Sequence, residues 1–275
     1  MACIVFSDTA GGTYSNGKGY FYIPVNIKQI EISSIGYNTK KMTLNKKIDT
    51  IFLSPKIYEI SETKVIPAKK KRKSVELGYA EENSDFGMSY LSGDELAVYI
   101  SCDNIENSYR KIKQFIFKGE KYLVKKLNLD KRDFISVFKI NFYRAIENKE
   151  IGDLINTEDI VFTSEVLKSK TKLDVSKYNI YMPENGIFVA VEWIGKINTE
   201  TTQIIKASIN DRLEPNIRMS WKIPNTIVYE KRRFVNSNTW QRVDKNNRMV
   251  KDIKSLDKSL DESSYYTPLI SIVLE

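Results

Sequence analysis

Ile187-Phe188-Val189-Ala190-Val191-Glu192-Trp193 decides the fold class of this chain. The run follows a turn signal, Pro183-Glu184-Asn185-Gly186, and shows none of the three- and four-residue apolar spacing that a helix needs. Read as a strand, it sets Ile187, Val189, Val191 and Trp193 on one face and Phe188, Ala190, Glu192 and Ile194 on the other. Glu192 interrupts an otherwise apolar strand. A carboxylate there is paired with Lys or Arg, exposed at the strand end, or functional.

Runs of the same kind lie on either side. Glu95 to Ile100, Ile112 to Phe117, Ser136 to Tyr143, Ile160 to Thr163, Lys172 to Val175, Gln203 to Ala207, Ile217 to Ser220 and Leu269 to Leu274 all read as strands. Gly93-Asp94, Glu147-Asn148 and Asn236-Ser237-Asn238 are turns between them. Only Asp103 to Gln114 offers a short helix. Nine strands over about 200 residues predict a jelly-roll-like β-sandwich spanning 77–275.

Residues 1 to 66 form a second β-rich block: Ile4 to Phe6, Tyr20 to Ile23, Ile30 and Ile32, Ile35 to Tyr37, Met42 and Leu44, Ile48 to Leu53, and Ile57 to Val65, with Gly11-Gly12 and Asn16-Gly17 as turns. The stretches Gly12-Thr13-Tyr14-Ser15-Asn16-Gly17-Lys18-Gly19-Tyr20-Phe21, Ile30 to Tyr37, Ile51-Phe52-Leu53-Ser54-Pro55 and Ile60 to Val65 resemble, in order and spacing, the carboxypeptidase regulatory-like domain. That resemblance implies a small transthyretin-like β-sandwich over 1–66, common in envelope proteins of the Bacteroidota, whose first strand would precede Ala2. It implies a location in the periplasm, in the outer membrane or at the cell surface. The module is the accessory part of metallocarboxypeptidases, so it implies no peptidase activity. The C-terminal half has a looser resemblance to the sandwiches that follow this domain and to jelly rolls of secreted adhesins, and neither supplies a catalytic residue to transfer.

The composition narrows the chemistry. There is no histidine in 275 residues, which removes Ser-His-Asp triads, Cys-His pairs and His-ligated zinc or haem. Any catalysis would have to use carboxylates, Lys, Tyr or Cys. Cys3 and Cys102 are too few for a disulfide framework and read as small buried hydrophobes. No apolar run approaches the ~18 to 20 residues that span a bilayer, and Met1 to Phe6 lacks the basic start of a secretory signal. The net charge is +8, and residues 1–76 hold 13 Lys/Arg against 6 Asp/Glu. Five of those cations are Lys69, Lys70, Lys71, Arg72 and Lys73, read as a solvated linker over 67–76, with a polyanion patch as the alternative.

Candidate site residues follow from what remains. A glycosidase needs two facing carboxylates, for which Asp94 with Glu95, and Glu192 beside Trp193, are the best candidates. Trp240, set among Asn236, Ser237, Asn238, Thr239, Gln241 and Arg242, suits a sugar platform, whereas Trp193 reads as core and Trp221 as ambiguous. Tyr229, Lys231, Arg232 and Arg233, with Phe234 after them, interleave aromatics and cations as an acidic-glycan or phosphate grip would. The ligand-binding set is therefore Trp240, Arg242, Tyr229, Arg232 and Glu192. Asp252, Asp257 and Asp261 lack calcium-loop spacing, and neither metal nor cofactor is expected. The resulting expectation is a non-enzymatic envelope protein with a glycan or outer-membrane protein partner and no nucleic acid. A carboxylate-based polysaccharide-cleaving enzyme and a polyanion binder are the alternatives.

Overall fold

The computed structural model describes residues 1–44, 50–56, 73–102, 104–120, 135–163, 169–197, 204–205, 213–235, 239–244, 250–251 and 265–275. Its strands begin with β1 (Cys3–Phe6), β2 (Gly12–Tyr14), β3 (Gln29–Ser33), β4 (Lys40–Thr43), β5 (Val75–Gly78), β6 (Phe86–Tyr90) and β7 (Asp94–Ile100). There follow β8 (Ile112–Glu120), β9 (Ile135–Ala145), β10 (Ile151–Leu154), β11 (Ile160–Thr163), β12 (Lys170–Asp174) and β13 (Ile187–Ile197). The last are β14 (Ile204–Ile205), β15 (Leu213–Ser220), β16 (Val228–Arg232), β17 (Gln241–Arg242), β18 (Thr267–Pro268) and β19 (Ile270–Leu274). Every pairing among them is antiparallel. The chain is all-β and sandwich-like, and among the described residues no helix is long and apolar enough to cross a membrane.

Strand β13 is the spine. It lies between β9 and β7 in an eight-stranded sheet ordered β10-β9-β13-β7-β16-β17, with β11 added on β9 and β14 on β13. Its alternation is borne out on both faces. Val189, Val191 and Trp193 join Leu96, Val98, Phe138 and Phe142 in a core shared with Phe115, Phe117, Ile217, Met219 and Ile272. These last belong to a seven-stranded sheet ordered β18-β15-β8-β19-β5, with β12 on β8 and β6 on β15. Each such side chain removed from water is worth about 1.5–3 kcal/mol, so the apolar interleaf between the two sheets drives their closure.

The outer face of the eight-stranded sheet is covered as well. Phe188 and Ala190 pack with Ala97, Tyr99, Tyr143 and Tyr229, while Ile194 packs with Val137, Phe234, Cys3 and Tyr14. Cys3 and Tyr14 belong to the N-terminal sheet, ordered β2-β1-β3-β4. Strand β1 alternates in turn: Cys3 and Val5 face the sandwich, and Ile4 and Phe6 face a second small core with Ile30, Ile32 and Met42. The Phe234 ring is wedged between Gly12 and Gly93. A Cβ on Gly12 would lie 2.1 Å from Phe234 Cε1, and one on Gly93 would lie 2.4 Å from Phe234 Cδ2.

Three expectations need correction or relocation. Asp103 to Gln114 is not a helix: only Ile105–Asn107 forms a single 3₁₀ turn, and β8 begins at Ile112. The register against β19 slips at this point, Gln114 facing Val273 and Ile112 facing Leu274. This bulge inserts a residue, so Ile112 and Phe115 both reach the core at a spacing of three that imitates a helix. Tyr20 to Ile23 and residues 50–53 are outside the sheets, and lie over the small N-terminal core instead. Ile57 to Val65, Lys69 to Arg72, the Asn236–Asn238 turn, the Asp252, Asp257 and Asp261 segment, and most of Gln203 to Ala207 lie outside the described residues.

Candidate functional site

Four strands of the eight-stranded sheet bring a row of charges into register. Glu192 on β13 lies opposite Lys139 on β9 and Glu95 on β7, and Glu95 lies opposite Lys231 on β16. All four point to the outer face, where the alternation also puts Asn141 and Tyr143 of β9. Two adjacent carboxylates would repel strongly away from water. They are tolerated because cations and donors converge on them from both sides.

Lys231 Nζ is 2.7 Å from Glu95 Oε2, with Arg233 Nη2 at 3.4 Å from the same oxygen. Tyr143 and Asn141 each donate to Glu95 Oε1 at 2.6 Å. Asn141 also donates to Glu192 Oε2 at 3.1 Å, and Arg233 Nε lies 3.0 Å from Glu192 Oε1. The last partner comes from the N-terminal sheet, where the Tyr14 hydroxyl donates to Glu192 Oε1 at 2.6 Å. Lys139 is itself paired with Asp159 at 2.8 Å. The network is shielded from water, with Glu95 0% and Glu192 1% exposed.

Burial works against ionisation of Glu192. The charges of Arg233, Lys139 and Lys231 and the Tyr14 hydrogen bond outweigh it and hold the carboxyl down to about 2. Burial pulls the Lys231 ammonium below its usual range against the attraction of Glu95. It pushes the Tyr14 and Tyr143 hydroxyls well up, with help from Glu192 and Glu95 respectively, so both remain donors. The Cys3 thiol is likewise raised by burial, to about 11, which leaves it inert; neither Cys3 nor Cys102 is in a disulfide.

Asp94, one residue before Glu95, behaves differently. Burial lifts its carboxyl to about 6, with Glu230 adding repulsion, while the Leu91 N–H at 3.0 Å and Arg232 oppose the rise. Its register partner on β16 is Arg232, not Lys231, so it points away from the Glu95 network.

The five predicted ligand-binding residues separate accordingly. Glu192 is the centre of the network. Trp240 stands half-buried above it, edge-on to Tyr143 at 5.3 Å, with Lys231 Nζ 4.2 Å from its ring centre. Tyr229 is buried against Phe188 at 5.4 Å, and Arg242 is exposed opposite it on β17. Arg232 is exposed and alternates to the other face from Lys231. Trp193 is core, and Trp221 stacks on Phe86 at 4.6 Å. Sequence reasoning missed Tyr14, Lys139, Asn141 and Tyr143. The alternation of Lys139, Asn141 and Tyr143 with Phe138, Ile140 and Phe142 was a readable signal of a polar stripe, but Tyr14 carried none.

A separate cavity of about 350 Å³, lined by Tyr99, Cys102, Glu147, Lys149, Glu184 and Asn185 among others, opens at the other end of β7. None of the five predicted residues lines it. Among the described residues no three Cys, Asp or Glu side chains gather as a metal site. Comparison with family models, with curated proteins and with solved structures found no match.

Proposed function

We propose that this chain is a non-catalytic, exported β-sandwich protein of the bacterial cell envelope that works by binding a glycan or an outer-membrane protein. One observation carries the non-catalytic part. Glu95 and Glu192, the facing carboxylates that an acid/base enzyme would use, are spent on the buried tie between the N-terminal sheet and the sandwich. A general acid needs a carboxyl raised toward the working pH and within reach of a substrate. Glu192 is held low, and both its oxygens are occupied by protein groups. The envelope setting rests on the resemblance of residues 12–65 to regulatory-like modules. The binding surface is the outer face of β16 and β17, where Trp240 and Arg242 present an aromatic edge and a cation.

The test is a screen of the purified chain against envelope polysaccharides and purified outer-membrane proteins, beside Trp240→Ala and Arg242→Ala. Retention without turnover, reduced in both variants, supports the reading. Release of sugar that is lost in Glu192→Gln or Asp94→Asn, with the fold intact, replaces it with the hydrolase. Asp94 is the carboxyl that reading would have to use, because burial raises it whereas Glu192 is held low. Binding only to nucleic acid, falling steeply with salt, replaces it with the polyanion reading.

A further inference from the structure

Among the described residues the N-terminal sheet meets the sandwich with one of its two faces. Its other face carries Ile4, Ile30, Ile32 and Met42, closed over by Phe21, Ile23, Ile27, Ile51 and Leu53. The two covering segments alternate like strands: Phe21 and Ile23 point inward, and so do Ile51 and Leu53. The intervening residues therefore point outward, away from the sandwich. Those residues are Tyr20 at 71%, Tyr22 at 73% and Phe52 at 79% exposure, joined by Val25 at 95% on the turn that Ile27 N–H closes onto the Pro24 carbonyl. Asp8 fastens this loop by accepting from the Lys28 and Gln29 amides at 2.7 and 2.9 Å. The four outward side chains are thus displayed on an anchored layer with its own core.

We infer that this outer face is a docking surface for an anionic lipid surface. The choice of occupant rests on charge and chemistry. Lys18, Lys28 and Lys40 are exposed in the same unit, and Lys40 Nζ donates to the Phe52 carbonyl at 3.0 Å, which ties an ammonium to the backbone of an exposed aromatic residue. Among the described residues of this unit the lysines outnumber the acids: Glu31 is paired with Lys41 at 3.2 Å, which leaves Asp8, bonded to the loop amides, against Lys18, Lys28 and Lys40. Phe52 and Val25 have no group that could answer the hydroxyls of a glycan. A bilayer surface offers phosphates for the lysines, headgroups for the Tyr20 and Tyr22 hydroxyls, and the acyl boundary for Phe52 and Val25.

The experiment is co-sedimentation of the full chain with vesicles of phosphatidylglycerol and phosphatidylcholine, against phosphatidylcholine alone, at low and high salt. The expected result is binding to the anionic vesicles only, weakened by salt. Val25→Ser combined with Phe52→Ser should weaken it at least about tenfold, and Lys18→Gln or Lys28→Gln about fivefold each. Thermal melts should match the parent, since all four side chains are exposed. The lysine variants read the same surface without touching its apolar part. No sedimentation, equal binding to neutral vesicles, or binding untouched by both sets of variants overturns the inference. So does self-association that the serine variant abolishes without any vesicle binding, which would assign the face to a second copy of the chain.

Discussion

Replacing Arg233 by Gln removes one of the three cations, Arg233, Lys139 and Lys231, that act on Glu95 and Glu192. What remains is two facing carboxylates with Lys231 and with Lys139, which Asp159 already engages, so the buried site loses its charge balance. Removing one partner of a buried ion pair costs about 3–5 kcal/mol, a large share of the roughly 5–15 kcal/mol that holds a domain folded. Urea unfolding at pH 7 should show a loss of that size with an unchanged slope. The pH dependence gives the sign. In the parent, Glu192 sits at about 2 against an ordinary 4.5. Its contribution is therefore present above 4.5 and lost as pH falls from there toward 2. Arg233→Gln weakens what holds the carboxyl down, so the gap between parent and variant should be widest at pH 7 and should narrow below pH 4.5. Adding Glu192→Gln to the variant removes the orphaned charge, and the double variant should be more stable than the sum of the single losses predicts. A loss under about 1 kcal/mol at pH 7, or a gap that ignores pH, would show that the network is not the tie described here.

Tyr14→Phe deletes the hydroxyl that joins the N-terminal sheet to Glu192, at a cost of about 1.5–3 kcal/mol. Hydrogen exchange should quicken over residues 1–44 before it does in the sandwich; uniform protection would refute that role. Gly12→Ala drives a methyl into Phe234 and to 2.5 Å from the Ile4 carbonyl, and should lower stability by about 1–3 kcal/mol. Phe234→Ala should relieve part of that cost, and strict additivity of the two losses would mean they do not meet. Asp94→Asn should stabilise the protein above pH 6, because the folded state holds this carboxyl at about 6 against an ordinary 3.8 and charging it costs stability as pH rises between those values. The gain is at most about 3 kcal/mol at pH 7 to 8 and should vanish below pH 4, as measured by urea unfolding.

Alternation along single segments was legible because the side-chain period of a strand is a local property. Ile187 to Trp193 sorted its two faces correctly, and so placed Glu192 opposite the main core. The same local reading placed a strand over Ile112 to Phe117, which β8 bears out, but it offered a helix over Asp103 to Gln114, where a single 3₁₀ turn forms, and a strand at Tyr20 to Ile23, which joins no sheet. Glu192 was singled out as a misfit, yet its role depended on register. Only the pairing of β13 with β7 and β9 sets it against Glu95 and Lys139, and only the docking of the N-terminal sheet brings Tyr14 to it from 178 residues away. Trp240 drew attention through its polar neighbours in sequence, but what it touches is Lys231 and Tyr143 from other strands. Composition settled early that histidine chemistry is absent, because a missing residue type is missing in any fold. Whether a carboxylate is a catalyst or a tie is decided by the charges and dielectric around it, and distant strands supply both only when the chain has folded.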